Sequence, residues 1–171
     1  MENTHPFMSC SKEFAFAHNG HAFVTYLRTY LLEAGHRIHG ETDSEVLMHL
    51  LEQYLEECGD MVEAIKELVE NNLSGTIVIL VRDGEIYAAR SGFNPLHYAV
   101  KDGEVYIASS REAVKSLIGG GVRVFEVVDG GIVKVENGRV SRYRAKSRKF
   151  FNCLNPYYGS YRWFDVDMFL H

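Results

Sequence analysis

The chain has 171 residues, of which 46% are hydrophobic and 12% aromatic, and a net charge of −5. Apolar content at this level over this length supplies one sizeable core and excludes an intrinsically disordered chain. The longest apolar run, Thr76 to Val81, is far shorter than the ~18 residues that cross a bilayer, and the start, Met1 to Pro6, has neither the basic flank nor the apolar run of a signal peptide, so a cytoplasmic protein is expected.

Cys10, Cys58 and Cys153 are odd in number and widely spaced, with no Cys-x-x-Cys among them. They indicate neither a disulfide framework nor a zinc site and read as reduced, mostly buried thiols. Charge is segregated along the chain. From Glu41 to Asn72 ten acidic residues stand against the single base Lys66, whereas Arg139, Arg142, Arg144, Lys146, Arg148 and Lys149 form a basic cluster. No nucleic-acid fold signature accompanies that cluster, so it reads as a solvated strand and tail, and no nucleic-acid partner is expected.

In chain order, an apolar strand over Glu13–Ala17 comes first. Phe23, Leu27, Leu31 and Ala34 then share a helical face, with Gly35 placed to close the helix. Val46, Leu47, Leu50, Leu51, Tyr54, Leu55 and Cys58 form the stripe of a second helix ending at Gly59. Thr42 and Glu45 have the spacing of a capping box, in which each side chain satisfies a backbone N–H; Asp60 and Glu63 repeat it ahead of a third helix carrying Val62, Ile65, Leu68 and Val69.

From Thr76 the period changes to that of strands. Asp83-Gly84, Asp102-Gly103 and Asn137-Gly138 separate three pairs of apolar runs, Ile77–Arg82 from Glu85–Arg90, His97–Lys101 from Glu104–Ser109, and Ile132–Glu136 from Arg139–Tyr143. They are the residues of two-residue hairpin turns, so an antiparallel sheet is expected. The first of these strands is apolar at nearly every position, which predicts burial on both faces, under helices on one side and a second layer on the other. A short helix over Arg111–Ile118 ends in three glycines. Residues 1–149 read as one domain and 150–171 as an aromatic C-terminal arm packed on it.

Two places carry chemistry. His18-Asn19-Gly20 sets an Asn amide beside a Gly N–H, two donors able to converge on one oxygen as an oxyanion hole requires; by itself Asn-Gly reads as a turn. Asp43 offers a carboxylate for a substrate ammonium, or equally a charge that complements the start of a helix. The His36/His39 and His18/His21 pairs flank turns with no accompanying carboxylate pattern, so no metal is expected, and no cofactor.

The order of the series is more specific than its parts. Asn3-Thr4-His5-Pro6-Phe7, His18-Asn19-Gly20, Gly35, Glu41-Thr42-Asp43-Ser44-Glu45-Val46, Ala89-Arg90-Ser91-Gly92 with Pro95-Leu96, and Ile107-Ala108-Ser109-Ser110 together resemble the glutaminase domain of class II glutamine amidotransferases, nearest to the glucosamine-6-phosphate synthase and amidophosphoribosyltransferase branches. The resemblance implies an α+β fold, an N-terminal-nucleophile αββα sandwich of antiparallel sheets and helices. It also implies glutamine amide hydrolysis with transfer of ammonia, Asn19 and Gly20 as the oxyanion hole, and Asp43 as the site of the glutamine α-ammonium.

Enzymes of this family begin with a cysteine whose own α-amine acts as base. Here the first residues are Met1-Glu2-Asn3, and the resemblance covers a domain without roughly its N-terminal third. A 171-residue chain inactive as a glutaminase is therefore expected, with a bare sheet edge covered by the arm, a second copy or a complementing chain. Should turnover appear regardless, Cys10 is the first thiol to examine. A non-catalytic ligand-binding or assembly module is the alternative.

Overall fold

A computed structural model describes residues 4–22 and 24–146. Strands β1 (Phe7–Met8) and β2 (Phe14–Gly20) precede three helices, α1 (Thr25–Glu33), α2 (Asp43–Cys58) and α3 (Met61–Asn71). Four strands follow, β3 (Gly75–Val81), β4 (Ile86–Ser91), β5 (His97–Lys101) and β6 (Glu104–Ala108). Helix α4 (Arg111–Ile118) leads into β7 (Phe125–Glu126), β8 (Gly131–Glu136) and β9 (Arg139–Arg144). All pairings are antiparallel, in a six-stranded sheet of order β1-β2-β3-β4-β8-β9 and a three-stranded sheet of order β6-β5-β7.

Three apolar layers stack these elements. Phe14, Phe16, Ile77, Ile79, Tyr87 and Ile132 project from one face of the large sheet onto Leu31 of α1, Val46, Leu47, Leu50 and Leu51 of α2, and Ile65 and Leu68 of α3. The alternate residues Val78, Ala88, Val133 and Val135 face the small sheet, where they meet Leu96, Tyr98, Val105, Ile107 and Phe125. On the outer face of the small sheet, Val114 and Ile118 of α4 cover Ala99, Tyr106 and Val124. Strand alternation thus divides each strand's side chains between two layers, and the result is the expected αββα sandwich. No helix among the described residues is long and apolar enough to cross a membrane.

All three predicted hairpins form, two of them with the predicted turn. Asp102 and Gly103 have φ of 52° and 82°, and Asn137 and Gly138 of 50° and 72°, between the paired ends Lys101↔Glu104 and Glu136↔Arg139. The Asp83-Gly84 expectation is corrected. Only Gly84 has positive φ, 96°; Gly84 N–H donates to Val81 O and Val81 N–H to Glu85 O, so the loop is three residues, a turn followed by a left-handed glycine.

Thr42 Oγ1 accepts from Glu45 N–H and Asp60 Oδ1 from Glu63 N–H, one half of each capping box. The reciprocal half is used otherwise. Glu45 accepts from the amides of His39 and Gly40 at 2.8 and 2.7 Å, fastening the loop that leads into α2, and Glu63 pairs with Lys66.

Burial on both faces of β3 holds only for its first part. Ile77 and Ile79 are buried, whereas Leu80 near the strand end is 51% exposed. The thiols depart from expectation too, since Cys10 and Cys58 are exposed. Cys58 sits at the last turn of α2, where the stripe leaves the core. The basic cluster is partly anchored: Arg142 lies over the rings of Phe125 and Tyr98, 5.0 and 5.6 Å from their centroids, and donates to the Tyr98 hydroxyl. Phe23, Arg148, Lys149, Cys153 and the whole arm 150–171 lie outside the described residues.

Candidate functional site

The tripeptide His18-Asn19-Gly20 does not form a turn. It is the last part of β2, with Asn19 opposite Thr76 and Gly20 opposite Gly75. The reason is steric. A Cβ on Gly20 would stand 1.9 Å from Ser74 O, and one on Gly75, whose φ is 127°, would stand 2.2 Å from Asn19 O. Two glycines let the strands approach so closely that the Asn-Gly dipeptide is committed to the ladder.

The hydrogen-bond phase of this ladder fixes where the Gly20 amide points. His21 N–H donates to Ser74 O and Arg82 N–H to Glu13 O, so the odd-numbered residues of this segment bond to β3 and the even-numbered ones face the opposite side. On that side Ser9 N–H donates to Phe14 O, and β1 pairs with Ala15 and Phe16. Beyond Phe16 no strand pairs β2 on this side among the described residues. The Gly20 N–H therefore points away from β3, to the side on which β1 lies. Asn19 is exposed, and the Asn94 amide holds the Asn19 carbonyl at 3.0 Å.

Asp43 opens α2 at the same corner. Its Oδ2 accepts from Ala22 N–H at 2.8 Å, just past the end of β2. Its Oδ1 lies 3.4 Å from the Ser44 hydroxyl, which is 3.1 Å from His18 Nδ1, and His18 Nε2 is 3.3 Å from Ser74 O. A chain of polar contacts thus ties the ends of β2 and β3 to the head of α2. His18, Ser44 and Asn94 were not marked as site residues by sequence reasoning. His18 and Ser44 adjoin marked positions, but only the packing of α2 on β2 brings them together.

His18 is buried. Burial is the main cause of a pKa below the ordinary histidine value; the charges of His5 and His21 push the same way, while the Ser74 carbonyl and Asp43 pull against them. In the neutral form Nε2–H donates to Ser74 O, and Nδ1 competes with Asp43 Oδ1 for the one hydrogen of the Ser44 hydroxyl. A base whose folded pKa is depressed favours folding above its unfolded value near 6.5 and loses that contribution as pH falls toward the folded value. The expected result is a melting-temperature gap between the parent and His18→Gln that narrows as pH is lowered from 7 to 5. A gap that stays constant or widens would contradict the buried neutral imidazole.

Two clefts, of about 340 and 210 Å³, are lined by other residues, the first of them at the Phe14 end of β2. At the corner where β2 meets α2, Asn19 is exposed and Gly20 and Asp43 are half-buried.

The glutamine amidotransferase domain family matches residues 1–128. A glutamine–fructose-6-phosphate aminotransferase (isomerizing) of Methanothermobacter thermautotrophicus is 36% identical over 138 residues, covering 77% of this chain and 22% of the relative. An amidophosphoribosyltransferase of Archaeoglobus fulgidus is 34% identical over 164 residues, covering 92% of this chain and 35% of the relative. The chain therefore spans about a fifth to a third of the length of these curated relatives. The fold also matches the glutamine phosphoribosylpyrophosphate amidotransferase of B. subtilis, solved with ADP and GMP, with a TM-score of 0.68 at 24% identity over 84% of this chain and 32% of that one. A glutamine aminotransferase class-II domain protein from Silicibacter pomeroyi gives 0.62 at 20% identity, over 86% and 73%. The sequence series, the αββα layering and these matches agree, and the chain belongs to the class II glutamine amidotransferase domain family.

Proposed function

We propose that this chain carries the glutamine-recognising corner of a class II glutaminase domain. Asn19 and the Gly20 N–H are the donors for the amide oxygen, and Asp43 is the acceptor for the substrate α-ammonium. The observation that carries this reading is the ladder phase of β2, which turns the Gly20 amide away from β3, to the side on which the Asp43 carboxylate at the head of α2 holds the Ala22 N–H. In the family reaction, glutamine hydrolysis supplies ammonia to an acceptor. Recognition of glutamine is the part of that reaction assigned to Asn19, Gly20 and Asp43. Among the described residues no strand pairs β2 past Phe16 on this side, which favours a second, compatible reading, in which a further chain or a second copy adds a strand there.

Calorimetric titration of glutamine into the purified chain tests the proposal. Binding is expected, with Asp43→Asn weakening it roughly 10- to 150-fold, the equivalent of about 1.5–3 kcal/mol for a hydrogen bond to a charged group. Asn keeps an acceptor for Ala22 N–H, so the variant should still fold. Equal affinity in parent and variant would remove Asp43 from the site, and no binding at millimolar glutamine would leave only the assembly reading.

A further inference from the structure

Cys10 from the β1–β2 turn, His36 from the α1–α2 loop and Glu52 from α2 line the cleft of about 340 Å³, and the glutamine corner uses none of them. His49 of α2 is buried against all three. One ligand atom from each, Cys10 Sγ, a ring nitrogen of His36 and of His49, and a Glu52 carboxylate oxygen, lies within 4.8 Å of all the others. His49 Nδ1 is 3.0 Å from Glu52 Oε2 and 3.5 Å from Cys10 Sγ, and His36 Nδ1 is 3.7 Å from Glu52 Oε2.

The surrounding hydrogen bonds assign the protons. Gln53 Nε2 donates to Glu57 Oε1 at 2.9 Å, which turns Gln53 Oε1 toward His36 Nε2 at 3.3 Å. That Nε2 must then carry the hydrogen, so in neutral His36 the Nδ1 lone pair faces a carboxylate. Glu52 Oε1 is held by the amides of Cys10 and Ser11 at 2.6 and 3.4 Å, which leaves Oε2 directed at both imidazoles.

A nucleophilic relay does not fit these positions. Such a relay divides its work between the two ring nitrogens, one on the thiol and one on the carboxylate, whereas here Nδ1 of His49 meets both. The Cys10 turn adjoins the Phe14 end of β2, and Asn19 lies five residues further on, roughly 17 Å at about 3.3 Å per residue. Cys10 therefore has no access to the glutamine corner.

A divalent cation satisfies every one of these groups at once. Zinc bonds to sulfur, nitrogen and oxygen of about 2.0–2.3 Å give tetrahedral edges of roughly 3.3–3.6 Å, and the three separations above, 3.0, 3.5 and 3.7 Å, bracket that range. The Gln53 contact to His36 and the backbone amides on Glu52 are the outer partners that orient metal ligands. We propose that Cys10, His36, His49 and Glu52 form a closed, four-ligand site for a zinc-class divalent ion, which fastens the β1–β2 turn and the α1–α2 loop to α2.

Cobalt(II) titration of the purified, reduced chain tests this. One equivalent should bind, with visible bands of a tetrahedral ion and a thiolate-to-cobalt charge-transfer band, both erased by zinc, and the melting temperature should rise with zinc and fall back on chelation. Cys10→Ser, a near-isosteric change at an exposed residue, should abolish the charge-transfer band; His36→Gln should weaken affinity by more than the 10- to 100-fold typical of losing an outer partner. Cys58→Ser should change neither. The absence of stoichiometric binding to the folded parent, or a charge-transfer band that survives in Cys10→Ser, would overturn the site and leave a plain hydrogen-bonded cluster.

Discussion

Gly20→Ala is expected to lower the melting temperature by roughly 6–12 °C. The added Cβ would stand 1.9 Å from Ser74 O and 2.8 Å from Gly75 Cα, both backbone atoms of the segment entering β3, so no side-chain rotation can relieve the clash. Overpacking that forces backbone movement costs about 1–3 kcal/mol and occasionally more. With a sheet ladder displaced, the upper end applies, and in a domain of this size each kcal/mol corresponds to about 2–4 °C. Gly120→Ala is the control, because nothing lies within 4 Å of its Cβ and the change should stay within about 0.5 kcal/mol. Thermal denaturation of both variants, followed by circular dichroism, gives the comparison. A Gly20→Ala protein melting within 2 °C of the parent would mean that β2 and β3 do not meet in this register.

The second large effect is on turnover. The 171-residue chain should release glutamate from glutamine no faster than its Asn19→Ala, Asp43→Ala double variant. Removing one oxyanion donor from a working hydrolase costs about 10²–10³ in rate, but that stabilisation acts on charge that develops only after a nucleophile has attacked. Hydrolases stripped of their triad keep roughly 10³–10⁴ over background through the oxyanion hole and binding; here Asn19 is exposed, and water weakens what it donates. Glutamate release assayed enzymatically, with both proteins shown to be folded, decides the matter. Robust turnover abolished by the double substitution would show a nucleophile in place, and Cys10→Ser would show whether it is Cys10, against the separation of roughly 17 Å along β2 at about 3.3 Å per residue.

The architecture was legible because its determinants are local. The stripe Val46, Leu47, Leu50, Leu51 belongs to one helix, and the Asp102-Gly103 and Asn137-Gly138 turns are set by their own backbone. Asp83-Gly84 looked the same in sequence, but an extra residue left outside the ladder changed its turn. The short strands β1 and β7 passed unnoticed, since two residues leave no period to detect; β1 exists through pairing with its neighbour β2, and β7 through pairing with the more remote β5. By itself Asn-Gly in β2 reads as a turn, because the residues that hold it extended are remote. Its strand conformation comes from Gly75, 55 positions after Gly20, and the two glycines matter only as a pair. The His49 and Glu52 spacing of three placed both on one face of α2, a signal present in the sequence. Cys10 and His36 have no sequence relation to that face, and the reading of the histidines by nearest neighbour paired His36 with His39 instead.

The edge of β2 past Phe16, which no strand among the described residues occupies, places a condition on any segment that extends the large sheet there. On that side the even-numbered residues of β2 exchange backbone hydrogen bonds with whatever lies alongside. A strand that stops after pairing with His18 completes the sheet and leaves the Gly20 amide for a ligand oxygen. One that continues by a further pair places its own carbonyl on that amide, and a single N–H cannot serve both. Occupancy of the corner and extension of the sheet thus become competing events at one hydrogen atom, and the length of the incoming strand determines which of them prevails.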